Sequence, residues 1–236
     1  MCNKAYSNIR ASGLASVFIV LTLLLVACSG TTTTPTTPTA QQVISGAQTA
    51  IQKVTSYHFN FVTENPGSAS FVLKSADGDI VVPDKLKASA NVVEFNNAVQ
   101  VQFVSIKDNQ YATDPITGKW TKTTIPIDPH ALSNLQTGII PNFLGHIQDP
   151  STPTDSSVDN TPCWRIEGKL ETKYLSGLGG QPTGSTVPVT ICVGKTDNLP
   201  HLITSTGVTF QGDTSKTVYT LKLSKFDETV TIVAPI

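Results

Sequence analysis

The chain is short of nearly everything that marks a metal centre, a nucleic-acid surface or a hydrolytic site. Only 14% of its 236 residues are charged, and the formal net charge is −1. A balance so close to neutral gives no field to steer a polyanion, so no nucleic acid is expected as a partner. Histidine occurs four times, as His58, His130, His146 and His201, without ligand spacing, and no CxxC is present. No metal and no cofactor is therefore expected, and each histidine reads as a surface or loop residue. Catalytic motifs are missing too: there is no Gly-x-Ser-x-Gly elbow, no Lys-Ser or Lys-Thr after the glycines of 177–180, and no His-Glu-x-x-His. Glu167 and Glu171 lie near each other, as a glycoside-cleaving pair would, but their spacing better suits a solvated edge. The chain reads as no enzyme, with the reservation that catalytic groups can converge from distant strands.

What is present begins with a targeting segment. Lys4 and Arg10 make a basic start, and Leu14 to Ala27 is almost wholly apolar. Fourteen residues give roughly 21 Å of helix, short of a bilayer core of about 30 Å, so a signal segment fits better than a transmembrane anchor. The run ends in Leu25-Val26-Ala27-Cys28, which resembles the bacterial lipobox, in which the cysteine is acylated and becomes the first residue. Residues 1–27 are thus expected to be a lipoprotein signal peptide, and Cys28 the site of lipidation. The competing reading is an ordinary secretory signal with a chance cysteine.

Ser29 to Thr39 is nearly all Thr, with Pro35 and Pro38, and such a composition buries too little apolar surface to order itself. Residues 28–39 are expected to be a tether, spanning roughly 35 Å drawn out and about 20 Å as a coil. Residues 40–236 are expected to form one domain. Cys2 leaves with the signal and Cys28 takes lipid, so Cys163 and Cys192 remain, and two thiols in an oxidising compartment suggest one bridge. A loop of about thirty residues closed this way contributes roughly 3 to 4 kcal/mol on the chain-entropy model. The alternative is a metal or redox pair.

Within the domain, Val43, Ile44, Ala47, Ala50, Ile51 and Val54 recur at helical spacing, which predicts a helix over 40–54. Period-two segments follow: Tyr57 to Thr63 and Ser70 to Lys74 around a Pro66-Gly67 turn, then Lys87 to Phe95, Val99 to Ile106 and Asn109 to Thr113. This is the rhythm of an antiparallel meander. Asp128-Pro129 opens a short helix, and a second is expected within 138–147, starting near Pro141. After a polar loop over 148–159, strands are expected at 163–170, 187–193, 200–210, 217–226 and 229–232, with a short helix across 171–178. The reading is α+β, with about ten strands in one antiparallel sheet.

The order of segments resembles the bacterial lipoproteins of the LppX and LprAFG type, which share the lipoprotein carrier fold with the LolA and LolB proteins. The positions that carry the resemblance are the lipobox at 25–28, Ile116-Thr117-Gly118-Lys119-Trp120, Asp128-Pro129, Phe143-Leu144 and Trp164-Arg165-Ile166-Glu167-Gly168. To these are added Val187 to Val193, Leu221 to Phe226 and Val230 to Pro235. The resemblance implies a strongly curved antiparallel sheet, a half-barrel, with short helices on its concave face enclosing an apolar cavity for acyl chains.

The few, short helices support this weakly by themselves, since they cover less of a large sheet's face than its apolar residues require. Candidate wall residues are Tyr57, Phe59 and Phe61; Phe71 and Leu73; and Val99, Val101 and Phe103. On the second helix they are Ile139, Ile140, Phe143, Leu144 and Ile147. The segment 138–147 is expected to be a mobile lid. The function expected is that of an extracytoplasmic lipoprotein, monomeric and held to the cell membrane through lipidated Cys28, that binds and carries a lipid or glycolipid, with a partner transporter as a candidate for the exchange. The alternative is a surface-displayed, protein-binding lipoprotein with a filled core.

Overall fold

The computed structural model describes residues 37–68, 71–94, 97–124, 127–178 and 180–236, with only the backbone of Phe71 and Glu94. The signal segment and Cys28 lie outside these residues. Helix α1, Ala40–Ile51, opens with a capping box: Thr39 accepts from the Gln42 backbone N–H while the Gln42 side chain accepts from the Thr39 N–H. The residue at the end of the expected tether thus starts the folded body. Strands β1 (Ser56–Glu64), β2 (Phe71–Val81), β3 (Lys85–Glu94), β4 (Asn97–Ile106), β5 (Asn109–Thr113) and β6 (Trp120–Lys122) follow, then helices α2 (Pro129–Ser133) and α3 (Ile139–Gly145). Strands β7 (Thr154–Val158) and β8 (Thr161–Glu171), a 3-10 turn at Thr172–Leu175, and strands β9 (Thr186–Gly194), β10 (Pro200–Thr206) and β11 (Val218–Ser224) complete the order.

All eleven strands form one antiparallel sheet in the order β6-β5-β4-β3-β2-β1-β11-β10-β9-β8-β7. Two meanders therefore meet where the first strand pairs with the last, Phe59 opposite Leu223 and Phe61 opposite Leu221. The sheet is not closed, and its edges are short strands, β6 of three residues and β7 of five, which limits the backbone left open to pairing. Between these edges the chain crosses one face of the sheet, and α2 and α3 lie on that crossing. The core, the helix cap and the disulfide all fall within Pro38–Ile236, a compact unit with a core of its own, which is the physical condition for folding alone.

Alternation sorts the strand residues. In β1, Tyr57, Phe59, Phe61 and Thr63 point inward and are buried. In β2 the same face takes Leu73 and then Ala76, Gly78 and Ile80, because a register shift between Leu73 and Ser75 inserts Lys74 and reverses the parity. A Cβ placed on Gly78 would lie 2.3 Å from the Lys87 carbonyl oxygen and 2.8 Å from Ala88 Cα, so only glycine allows β2 and β3 to approach this closely there.

Several expectations are corrected. The polar stretch 148–159 contains β7, whose Thr-Asp-Ser-Ser-Val sequence pairs along β8 despite having little apolar character. The helix expected over 171–178 is a single 3-10 turn. No strand forms at 229–232: β11 stops at Ser224, and the tail is held through Ser56 Oγ donating to the Glu228 carbonyl and Thr55 N–H donating to Asp227 Oδ1. His201 is buried, its ring edge-on to Phe226 and bonded to Asp197 Oδ2, unlike a surface or loop residue. The expected bridge is present between Cys163 and Cys192, whose Cα atoms on neighbouring β8 and β9 are 5.5 Å apart.

Candidate functional site

Across the middle of the inner face, register aligns residues into rows. One runs Leu221, Phe61, Ala76, Ala90, Val101, and the next runs Leu223, Phe59, Gly78, Ala88, Phe103, Ala112. In both rows β2 and β3 contribute only Ala or Gly. The volume missing from those side chains is not taken up by α2, which packs over β2 and β3 but is five residues long. A hollow of about 270 Å³ remains. Among the described residues that line it, only Ser205 and Tyr219 bear a polar side-chain atom. Ala112 on β5 and Ile203 on β10 both line it although they stand six strands apart in the sheet. That is roughly 29 Å across a flat sheet, whereas a compact hollow of this volume is roughly 8 Å wide, so the sheet bends around it.

Three contacts hold the frame. Tyr57 is fully buried and its hydroxyl donates to the Leu132 carbonyl at 2.7 Å, which ties α2 to β1 and, through loss of solvent, raises the phenol's pKa. Asp128 caps α2 by accepting from the His130 N–H at 2.9 Å. Helix α3 packs against α1 and the 3-10 turn, and the His146 ring stacks on Tyr174 with centroids 3.7 Å apart.

At one end the hollow acquires a polar neighbour. Tyr219 sits between Phe61, with ring centroids 6.0 Å apart, and Phe210, at 5.3 Å, and its hydroxyl donates to Asp213 Oδ1 at 2.8 Å. Burial first, then the bond to Asp213 and its charge, raise the Tyr219 pKa, so the phenol stays protonated and a donor at neutral pH. A smaller pocket of about 50 Å³ shares Phe61, Leu73 and Tyr219 with the hollow and adds Gln211 and Asp213.

Of the residues nominated from sequence, Phe59, Phe61, Leu73, Val99, Val101, Phe103, Ile139 and Phe143 line the hollow. Tyr57, Ile140, Leu144 and Ile147 do not. Tyr57 is spent on the tie to α2, and Ile140 and Leu144 are buried on a helix that packs against α1 and the 3-10 turn. Ile147 lies against β8, where its Cγ2 would be 2.6 Å from a Cβ on Gly168. The side chain of Phe71 lies outside the described residues. Helix α3 is buried on two sides: Ile139 and Phe143 face the hollow, while Ile140 and Leu144 fill the core beside it. Sequence reasoning missed Ala76, Ala88 and Ala90, because a small apolar residue on a period-two strand looks like filler rather than wall.

Elsewhere among the described residues a shallower depression of about 620 Å³ lies beside α1, lined by mixed residues that include Thr49, Lys53, Asp197 and Asp227. Among the described residues no group of three or more His, Cys, Asp or Glu could hold a metal. Glu167 bonds Arg165 at 2.8 Å, and Glu171 bonds Lys173 at 2.7 Å, which lowers the Glu171 pKa.

A single open antiparallel sheet around an apolar hollow, with short helices over its inner face, defines an α+β fold. The chain belongs to the LppX_LprAFG lipoprotein family, whose model matches residues 39–232. Among solved structures it is similar to LprF from Mycobacterium bovis, with 17% identity, 83% of this chain and 96% of that chain covered, and a TM-score of 0.67. It is also similar to the lipoprotein LppX from Mycobacterium tuberculosis, with 16% identity, coverage of 82% and 100%, and a TM-score of 0.59. At such identities these likenesses establish the fold. No curated protein matches the chain.

Proposed function

We propose that this protein is a membrane-anchored extracytoplasmic lipoprotein that holds acyl chains of a lipid or glycolipid in its apolar hollow and carries or transfers that lipid. The hollow is the observation on which the reading stands: about 270 Å³ bounded almost wholly by hydrocarbon. Such a space is poor in partners for water and suits alkyl groups. It has room for on the order of ten methylenes at about 0.8 kcal/mol each, which gives roughly 8 kcal/mol before the costs of association. Membership of a lipoprotein family supports the rest of the reading: residues 1–27 as signal, acylated Cys28 and residues 28–39 as anchor and tether, and residues 40–236 as the lipid-binding domain. The protein acts as a monomer without cofactor or catalysis, and a transporter is a suitable partner for loading. The filled-core alternative is disfavoured by the same hollow.

Native mass spectrometry of protein purified without detergent tests the reading. Co-purifying lipid, lost when Ala90 is enlarged to Phe, is the expected result. A clean apoprotein that also takes up no lipid from vesicles would sink it.

A further inference from the structure

We infer that the β5–β6 hairpin is a docking prong that seats the mouth of the hollow on a lipid bilayer, with Ile116 as the side chain that enters the membrane. The inference deepens the reading of the hollow as a lipid site and rests on it. Ile116 is 92% exposed, more than the other exposed large apolar residues, Val208, Val233 and Ile236. A lone exposed aliphatic residue is ordinary, so the weight falls on how this one is held and where.

It is held by a rigid turn. Asp114 Oδ1 accepts from the Ile116 N–H at 3.0 Å, the Thr117 N–H at 2.7 Å and the Thr117 hydroxyl at 2.9 Å. The Asp114 N–H donates to the Lys119 carbonyl at 2.8 Å, and the Gly118 N–H donates to the Asp114 carbonyl at 2.9 Å. A turn already ordered loses little freedom when its tip is immobilised in a headgroup layer.

Its place is the mouth. Pro115, next in sequence, is exposed and at the same time lines the hollow, so apolar surface runs from the inner wall to the tip of the hairpin. The charges beside it fit an anionic surface: Lys119 and Lys122 are exposed on the same hairpin, while the carboxylate of Asp114 is engaged inside the turn. Aliphatic tip, flanking lysines and an apolar passage leading inward suit a bilayer better than a folded protein, since they offer no pocket and no shaped surface. Docked this way, an acyl chain enters the hollow without crossing water.

The test uses the body Pro38–Ile236, which lacks Cys28, so that vesicle binding reports the hairpin and not an acyl anchor. With Trp164→Phe, Trp120 of the same hairpin is the sole tryptophan. Vesicles of phosphatidylcholine with about one-third phosphatidylglycerol, brominated high in the acyl chains, should quench Trp120 emission. Ile116→Asp should weaken vesicle partition about tenfold or more, the equivalent of one buried aliphatic side chain. Lys119→Gln with Lys122→Gln should weaken binding to the anionic vesicles and leave binding to pure phosphatidylcholine unchanged. Ile116→Ser serves as a second variant should the aspartate disturb folding. Unchanged partition of both Ile116 variants, or unquenched Trp120 on vesicles that bind the protein, overturns the proposal. Lipid retention measured on the same samples separates the two readings: an empty hollow with intact vesicle binding defeats the lipid site, and a loaded hollow with indifferent Ile116 variants defeats the prong alone.

Discussion

The inner face of the sheet has two halves that share an alternating pattern and differ in what they leave behind. On β8 and β9, Ile166, Leu170, Val187, Val189, Ile191 and Val193 are all buried, and α1 packs directly on β9. On β2 and β3 large residues stand only toward the ends of the inner face, Leu73, Ile80, Leu86 and Val92, and the middle positions are Ala76, Gly78, Ala88 and Ala90, covered by the five-residue α2. The first half is a filled core and the second borders the hollow, none of whose lining residues comes from β8 or β9. A cavity here is thus a deficit of side-chain volume at a few register-aligned positions, not a different secondary structure.

That contrast can be broken from either side. Ile191→Ala in the filled half should destabilise the fold by about 2–5 kcal/mol, read by denaturant unfolding, and spare lipid retention once the protein is folded. Ala90→Phe in the hollow half should do the reverse: lipid retention falls at least severalfold, while stability changes by less than about 2 kcal/mol because the ring enters empty space. If both variants lost lipid equally, the division of the face would be wrong. Tyr57→Phe probes the boundary between the halves. Losing the bond to the Leu132 carbonyl should cost about 1–3 kcal/mol, since a buried acceptor is left unpaired, and should loosen α2 as read by amide exchange at Leu132 and Ser133.

The smallest effect concerns the rim. Hydrogen bonds from the Thr117 backbone, the Thr117 hydroxyl and the Ile116 backbone hold the Asp114 carboxyl below its usual pKa. Its contribution to the turn is therefore complete above the unfolded carboxylate value and is lost as pH falls through the lower folded one. An NMR titration of the Asp114 carboxyl should show that depressed midpoint, and Thr117→Val should raise it toward the ordinary range.

Much of this contrast was legible in the sequence, though unevenly. Period-two alternation located β1, β3 through β5 and β8 through β11, but of β2 only the part before the shift at Lys74, since 75–81 beyond it are small and polar; the Asp128-Pro129 cap and Pro141 located α2 and α3 within a few residues. Strand β7 escapes a reading of the sequence because an edge strand exposed to solvent has no need of alternation, and 229–232 reads as a strand because β-branched residues are equally at home in an extended tail. At the hollow, the large residues Phe59, Phe61, Phe103, Ile139 and Phe143 could be nominated from their faces. The alanines that make room between them could not, since their meaning depends on register with strands far away in sequence. The same blindness put Tyr57 and Ile147 on the wall: facing inward is readable, but which partner a residue meets inside, the Leu132 carbonyl for Tyr57 and β8 for Ile147, is decided by elements far away in sequence.

The pairing of β1 with β11 also bears on the order of manufacture. His58 stands opposite Ser224, so the seam between the two meanders joins opposite ends of the polypeptide. A chain delivered N-terminus first has to hold Phe59 and Phe61 beside an unpaired strand edge until β11 arrives, and contacts of such long range form slowly. Any product cut before Val218 would be two unjoined hairpin stacks, each with an oily flank exposed, which makes the C-terminal strand the step that commits the molecule to completion.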